Sequence, residues 1–160
     1  MQFHPTRLRD AWLIQLKRAR DARGFFARTF CVEEFAARGL ETNYPQHSIS
    51  YSARRGTLRG MHYQHDPHGE SKLVRCAKGA IWDVIIDIRP ASPTYRNCQE
   101  FELSSVNGHQ LYIPKGFAHG FQTLSMMSKS ITSFPNPTNR NRPSAFGMTI
   151  QLLELPGPCP

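Results

Sequence analysis

The sequence predicts an all-β domain, a sandwich or a barrel, with one short helix. Short runs rich in Ile, Val and Trp recur before residue 126, and turns made of Gly, Pro, Asn and Ser separate them at intervals of about ten residues. This rhythm is typical of antiparallel sandwiches and barrels. The length of 160 residues is that of one ordinary domain with a single core.

The clearest strand candidate is the segment 79–89, GAIWDVIIDIR, which turn signals bound on both sides. Shorter strands are predicted at residues 71–76, 100–103 and 110–113. Helical spacing is found at residues 32–38, VEEFAAR, where the acids come early and the Arg late, as the helix dipole favours.

The composition and the hydrophobic pattern of the chain change after Ser125. Residues 126–160 are rich in proline, include the polar run NPTNRNRPS, and show little alternation of apolar with polar residues. We therefore expect a folded domain over residues 1–125 and a divergent, irregular C-terminal tail over residues 126–160.

Composition limits where the protein acts and what it contacts. No apolar run approaches the roughly 18 residues that cross a bilayer, and the first residues carry no apolar export signal. We expect a cytoplasmic protein without a membrane partner. A net charge of +8 suggests nucleic acid as one alternative, but the basic residues are dispersed and no recognised nucleic-acid module is present. A smaller phosphate-bearing ligand explains the charge equally well.

The first polar cluster lies at residues 56–64, GTLRGMHYQ, with Lys72 shortly after it. Glycines beside Arg59 and His62 permit close backbone approach, so Arg, His, Gln and Lys side chains on adjacent strands could converge on an anionic, carbonyl-bearing ligand. The alternative is structural: a satisfied core histidine at position 62 and a surface charge at position 59.

The second cluster is the segment 111–121, LYIPKGFAHGF, whose P-x-G-x-x-H spacing ends at His119 and resembles the second motif of cupin proteins. Metal-binding cupins also need an H-x-H pair, whereas His62 is followed by Tyr and Gln. The nearby His65 and His68 could in principle complete a metal site. We predict that the protein holds no metal.

Four motifs in order, GTLRGMHYQ, KLVRC, GAIWDVIIDIRPASPTY and LYIPKGFAHGFQTLS, resemble the dTDP-4-dehydrorhamnose 3,5-epimerase family over residues 23–125. The resemblance implies a cupin-like double-stranded β-helix, a jelly-roll barrel with one or two short helices. It also implies epimerisation at C3 and C5 of a nucleotide-linked 4-keto-6-deoxy sugar without a cofactor. The partner expected from it is a second copy, in a homodimer built by strand exchange.

The resemblance assigns roles to two catalytic residues. His62 matches the family base that removes the proton next to the ketone, and Lys72 matches the lysine that serves the resulting oxyanion.

Further positions match substrate-binding residues of the family. Arg23 and Arg59 match the arginines that hold the diphosphate, for which a guanidinium fork is well shaped. His119 matches a pocket histidine. Gln46 and Ser48 stand at the places of a family Gln and Asn, and the serine puts the second contact in doubt. Arg23 is expected to reach the pocket of the partner copy.

The chain departs from the family after Ser125. The family places an acidic tyrosine where Thr132 stands, and it uses an aspartate from a C-terminal segment that is absent here. Read one base earlier, codons that fit residues 126–133 can encode a tyrosine at position 132, and codons for residues 147–158 can encode a segment like the family's closing one. A frame shift is therefore our preferred hypothesis, and divergence in a paralogue is the alternative.

Two other functions remain open from the sequence. Loss of the acid would suit a non-catalytic cupin that binds sugar nucleotides. A sugar-nucleotide ketoisomerase would share the cupin core and the histidine base but move the proton along one face of the sugar.

Overall fold

The computed structural model describes residues 1–64 and 67–135, which form twelve strands and one helix. The predicted all-β jelly-roll fold is confirmed. The strands are β1 Gln2–Pro5, β2 Trp12–Gln15, β3 Arg18–Asp21, β4 Gly24–Ala27, β5 Gln46–Ser52, β6 Leu58–His62, β7 Lys72–Lys78, β8 Ala80–Asp87, β9 Cys98–Ser104, β10 His109–Ile113, β11 Phe117–Thr123 and β12 Ser128–Phe134.

The strands form two larger antiparallel sheets and one hairpin. The six-stranded sheet has the order β1-β2-β10-β7-β12-β5, and the four-stranded sheet has the order β6-β11-β8-β9. Between them lies the main core, in which Val74, Ile85, Leu103 and Leu111 are fully buried. The hairpin β3–β4 belongs to neither sheet.

The helix α1, Val32–Ala36, lies inside the segment where the sequence predicts one, with Glu33 and Glu34 in its first turn. Its residue Phe35 is fully buried in a second cluster with Tyr44 and Leu73. That cluster covers part of the outer face of the six-stranded sheet. No helix among the described residues is long and apolar enough to cross a membrane.

Strand β12 lies where the sequence predicts irregular backbone. It pairs with β5 on one side and with β7 on the other, so both edges are hydrogen-bonded. Its buried positions include Ser128, Ser130 and Ser133 rather than large apolar residues. The sequence of this segment therefore shows no alternation of apolar with polar residues. The strand forms because hydrogen bonding to β5 and β7 stabilises it. The domain boundary at residue 125 stays a prediction.

A buried carboxylate should make the fold sensitive to acid. Burial alone would raise the pKa of Asp87, but hydrogen bonds from Arg89, Ser92 and Thr94 lower it to about 2. Because the folded-state pKa lies below the ordinary value, the ionised carboxylate contributes about 2 kcal/mol that is present above about pH 4 and lost as the pH falls towards 2.

We expect Asp87→Asn to lower the free energy of unfolding near pH 7 by about 2 kcal/mol and to flatten its decline between pH 4 and 2. Urea unfolding at several pH values measures both effects. Asp21→Asn is the matched control, since that carboxylate is exposed in a hairpin ion pair. An unchanged pH profile in Asp87→Asn would contradict the assignment.

Candidate functional site

The register of the sheets places the predicted site residues on the inner face of the barrel. On β11, His119 is opposite His62 and Phe121 is opposite Arg59. Residues directly opposite each other in an antiparallel pair share a face, and Phe121 belongs to the main core. The side chains of Arg59, His62 and His119 are therefore directed towards the interior.

The remaining strands bring three more predicted residues to the same face. On β7, Lys72 is two residues from the core residue Val74, which is opposite Thr132 on β12. Thr132 is in turn opposite Ser48 on β5. Gln46, two residues before Ser48, lies on the same face of that strand. The sequence clusters around residues 56–72 and 111–121 thus lie on one face of the fold.

Two glycines allow strands β6 and β11 to meet closely. A Cβ atom at Gly60 would collide with the backbone of Gly120, and one at Gly120 would displace the flexible Met61 side chain and lie tightly against the carbonyl of Arg59. The backbone of Gly60 also has a φ of 132°, a value that residues with a side chain rarely adopt. The close approach brings His62 opposite His119.

The imidazole of His62 is exposed to solvent, and Lys72, His119 and Arg59 are near enough to act on its charge. Partial burial lowers the pKa of its imidazole, and the charges of Lys72, His119 and Arg59 lower it further. A lowered pKa keeps the imidazole neutral near pH 7, which is the form that can accept a proton.

Lys72 is the buried cation of the site, with 8% of its surface exposed. Burial lowers the pKa of its ammonium, whereas the negative charges of Glu70 and Asp83 act in the opposite direction. Glu70 is itself held by Gln64, whose Nε2 donates to Oε1 over 3.0 Å. The ammonium of Lys72 makes no hydrogen bond to residues 1–64 or 67–135, so it is available to a ligand oxygen.

Asp83, which the sequence did not predict as a site residue, is the partner of His119. The Nε2 atom of His119 lies 2.8 Å from Oδ2 of Asp83, and both side chains are buried. The carboxylate fixes the orientation of the ring. In the sequence Asp83 is an acidic residue in the middle of the apolar run GAIWDVIID, a pattern that fits an exposed position as well as a buried one. Its other oxygen, Oδ1, has no partner among the described residues.

Arg59 is held in place from strand β5. Its Nε donates to the Ser52 hydroxyl over 3.1 Å, and one Nη donates to the carbonyl of Tyr51 over 2.9 Å. These contacts orient the guanidinium beside His62, whose pKa it lowers.

Arg23 does not join this cluster within one chain. It lies in the turn of the β3–β4 hairpin with 90% of its side chain exposed, and it pairs with Asp21 over 2.7 Å. Phe25 and Phe26 on the same hairpin are also exposed. A role for Arg23 at the site requires a second chain.

No group of three potential metal ligands comes together among residues 1–64 and 67–135. His65, one of the alternative ligands, lies outside the described residues, and His68 is exposed. Residues 136–160, where the closing segment of the frame-shift hypothesis falls, are also outside them. The absence of a metal and the frame shift both stay predictions.

The chain is similar to sugar-nucleotide epimerases. It matches the family model described as dTDP-4-dehydrorhamnose 3,5-epimerase over residues 5–141. The enzyme of that name from Sinorhizobium fredii is 42% identical over 124 residues, which are 78% of this chain and 64% of that protein. The chain thus spans less than two thirds of that relative.

Solved structures of the same group share the fold. The dTDP-4-dehydrorhamnose 3,5-epimerase from Bacillus anthracis, with TDP and PPi bound, superposes with a TM-score of 0.87 at 35% identity, covering 99% of this chain and 90% of that one. An epimerase from Legionella pneumophila in complex with dTDP-4-keto-L-rhamnose gives a TM-score of 0.80 at 34% identity, with 86% and 73% covered.

Proposed function

This chain belongs to the dTDP-4-dehydrorhamnose 3,5-epimerase family, and from that premise we propose that it epimerises C3 and C5 of dTDP-4-dehydro-6-deoxyglucose. The observation that carries the proposal is the inward-facing group of His62, Lys72 and His119 with Arg59 beside it. It combines a neutral base, a buried cation and a guanidinium, which suit a keto sugar attached to a diphosphate.

Each residue has a task in the proposed reaction. His62 removes the proton from the carbon next to the ketone, and the electron pair moves onto the carbonyl oxygen as an enolate. Lys72 stabilises that oxyanion, since a desolvated ammonium interacts more strongly than one in water. Arg59 holds the diphosphate, and His119, fixed by Asp83, bounds the pocket.

Inversion needs a proton delivered to the opposite face of the sugar, and position 132 is where the resemblance puts the donor. Thr132 lies on the inner face, opposite Ser48. Its aliphatic hydroxyl is a far weaker acid than a phenol, whose pKa is about 10. We therefore propose that this chain binds its substrate and removes the proton, but completes inversion slowly.

The test of the function is incubation with dTDP-4-dehydro-6-deoxyglucose in heavy water, followed by NMR. Deuterium at C3 and C5 together with a 4-dehydrorhamnose product would support the proposal. Nucleotide binding without exchange would point to a binding protein, and a product whose carbonyl has moved would point to a ketoisomerase. Either outcome would overturn the proposed reaction.

Chelation is expected to leave the reaction unaffected. The proposed isotope exchange uses a base and a cation supplied by side chains, so it does not need a metal. Isotope exchange should be the same before and after dialysis against EDTA. Lost exchange that one equivalent of Zn²⁺ or another divalent ion restores would contradict this prediction.

We also propose that two chains form a homodimer in which the hairpin residue Arg23 completes the partner's site. The exposed Arg23 and Phe26 on a hairpin outside both sheets support it. Arg23→Gln should weaken dTDP binding by about tenfold, as expected for a lost charge-assisted contact. Mixing it with an Arg59→Gln chain should restore one intact site per heterodimer. Failure of the mixture to recover binding would contradict the shared site.

The cytoplasmic location stays a prediction.

A further inference from the structure

A polar cavity lies on the outer face of the six-stranded sheet, on the opposite side of the sheet from His62 and Lys72. It has a volume of about 60 Å³, which is room for several water-sized groups. Strands β5, β7, β10 and β12 meet there, and Phe30 lies at its wall. The polar residues that line it are Thr29, Tyr44, His47, Arg75, Gln110 and Ser133.

Arg75 supplies a positive charge that has no counter-charge among residues 1–64 and 67–135. Its side chain is partly buried on β7, between Gln110 of β10 and Ile131 of β12. In the part of the chain that the structure describes, its guanidinium makes neither an ion pair nor a hydrogen bond, and no Asp or Glu lines the cavity. Burial lowers the pKa of Arg75. Partial desolvation of an unpaired cation costs free energy, which a bound anion would recover.

Hydrogen-bonding groups surround the same space. The Nδ1 atom of His47 lies 2.7 Å from the Ser133 hydroxyl, which joins β5 to β12. The hydroxyl of Tyr44 is buried, and although Ser71 lies beside it, the two do not reach hydrogen-bond geometry. The Tyr44 hydroxyl therefore has no partner within the described residues. Tyr44 lines the cavity, and a ligand oxygen that reached its hydroxyl would satisfy it.

We propose that this outer-face cavity binds a small oxyanion, with Arg75 as the charged contact and Ser133, His47 and Tyr44 as hydrogen-bonding groups. A guanidinium fork matches the paired oxygens of a phosphate or a carboxylate. Two sources have this chemistry: a free phosphate-type anion, and a carboxylate side chain of a second copy. The proposal is independent of the epimerase reaction.

The probe is inorganic phosphate, and the background is Arg59→Gln, which removes the guanidinium of the inner site. Phosphate should raise the melting temperature of this protein more than chloride does at equal ionic strength. Adding Arg75→Gln should weaken phosphate binding by about tenfold or more, because a charge-assisted contact is lost. Arg96→Gln, which changes an exposed arginine elsewhere, is the matched control.

Ser133→Ala tests the site if Arg75→Gln fails to fold, and it should weaken phosphate binding to a lesser extent. If phosphate has no specific effect but Arg75→Gln weakens self-association in sedimentation equilibrium, the anion is a carboxylate of the second copy. If Arg75→Gln and Ser133→Ala change neither phosphate binding nor self-association, the proposal is overturned.

Discussion

Replacing His62 by alanine should abolish most deuterium exchange at the carbons next to the ketone, with a loss of about 10²–10⁴-fold in rate. The reason is that His62 is the accessible, neutral imidazole on the inner face, where burial and nearby cations lower its pKa. Binding of dTDP should change little, because Arg59, the proposed contact of the diphosphate, remains. Exchange measured by NMR and binding measured by calorimetry separate the two effects.

The pH dependence of exchange supplies a second readout. Exchange should fall at low pH as His62 becomes protonated, with an apparent pKa below the ordinary 6.5. His4→Ala, which removes an exposed histidine on β1, is the control and should leave exchange intact. Undiminished exchange in His62→Ala would mean that another group is the base. His119, which is opposite His62 on β11, would then be the first candidate.

Thr132→Tyr should increase the yield of inverted product far more than it changes affinity. Position 132 is opposite Ser48 on β5 and opposite the core residue Val74 on β7, so its side chain faces the interior. A phenol there would supply the missing proton donor, and a positioned acid typically contributes about 10²–10⁴-fold. The rate of 4-dehydrorhamnose formation and the rate of isotope exchange should therefore converge in this variant.

Thr132→Phe is the matched control, since it adds the ring without the hydroxyl and should leave inversion slow. Restoring the reading frame after Ser125 would test the same idea with the whole tail changed. If the unaltered chain already forms product as fast as Thr132→Tyr, another residue donates the proton, and the argument from the missing acid is wrong.

The substrate-facing residues differ in how far the sequence could predict them. His62 and His119 lie in glycine-containing motifs, each of which is recognisable in the sequence. That the two residues lie opposite each other depends on the pairing of β6 with β11. Asp83 was missed because a single acid in an apolar strand has no local signature that separates a surface position from a buried one. Its role became evident only through its contact with His119.

By itself the sequence determined the all-β class, the helix near residue 32 and the family, because turn spacing and long motifs are local properties of the chain. Only the tertiary structure decided that β12 forms between β5 and β7, that Arg23 lies away from the cluster, and that Arg75 lines a cavity on the outer face. These depend on pairing between residues far apart in the chain. Such pairing sets burial and register, which no short window of sequence contains.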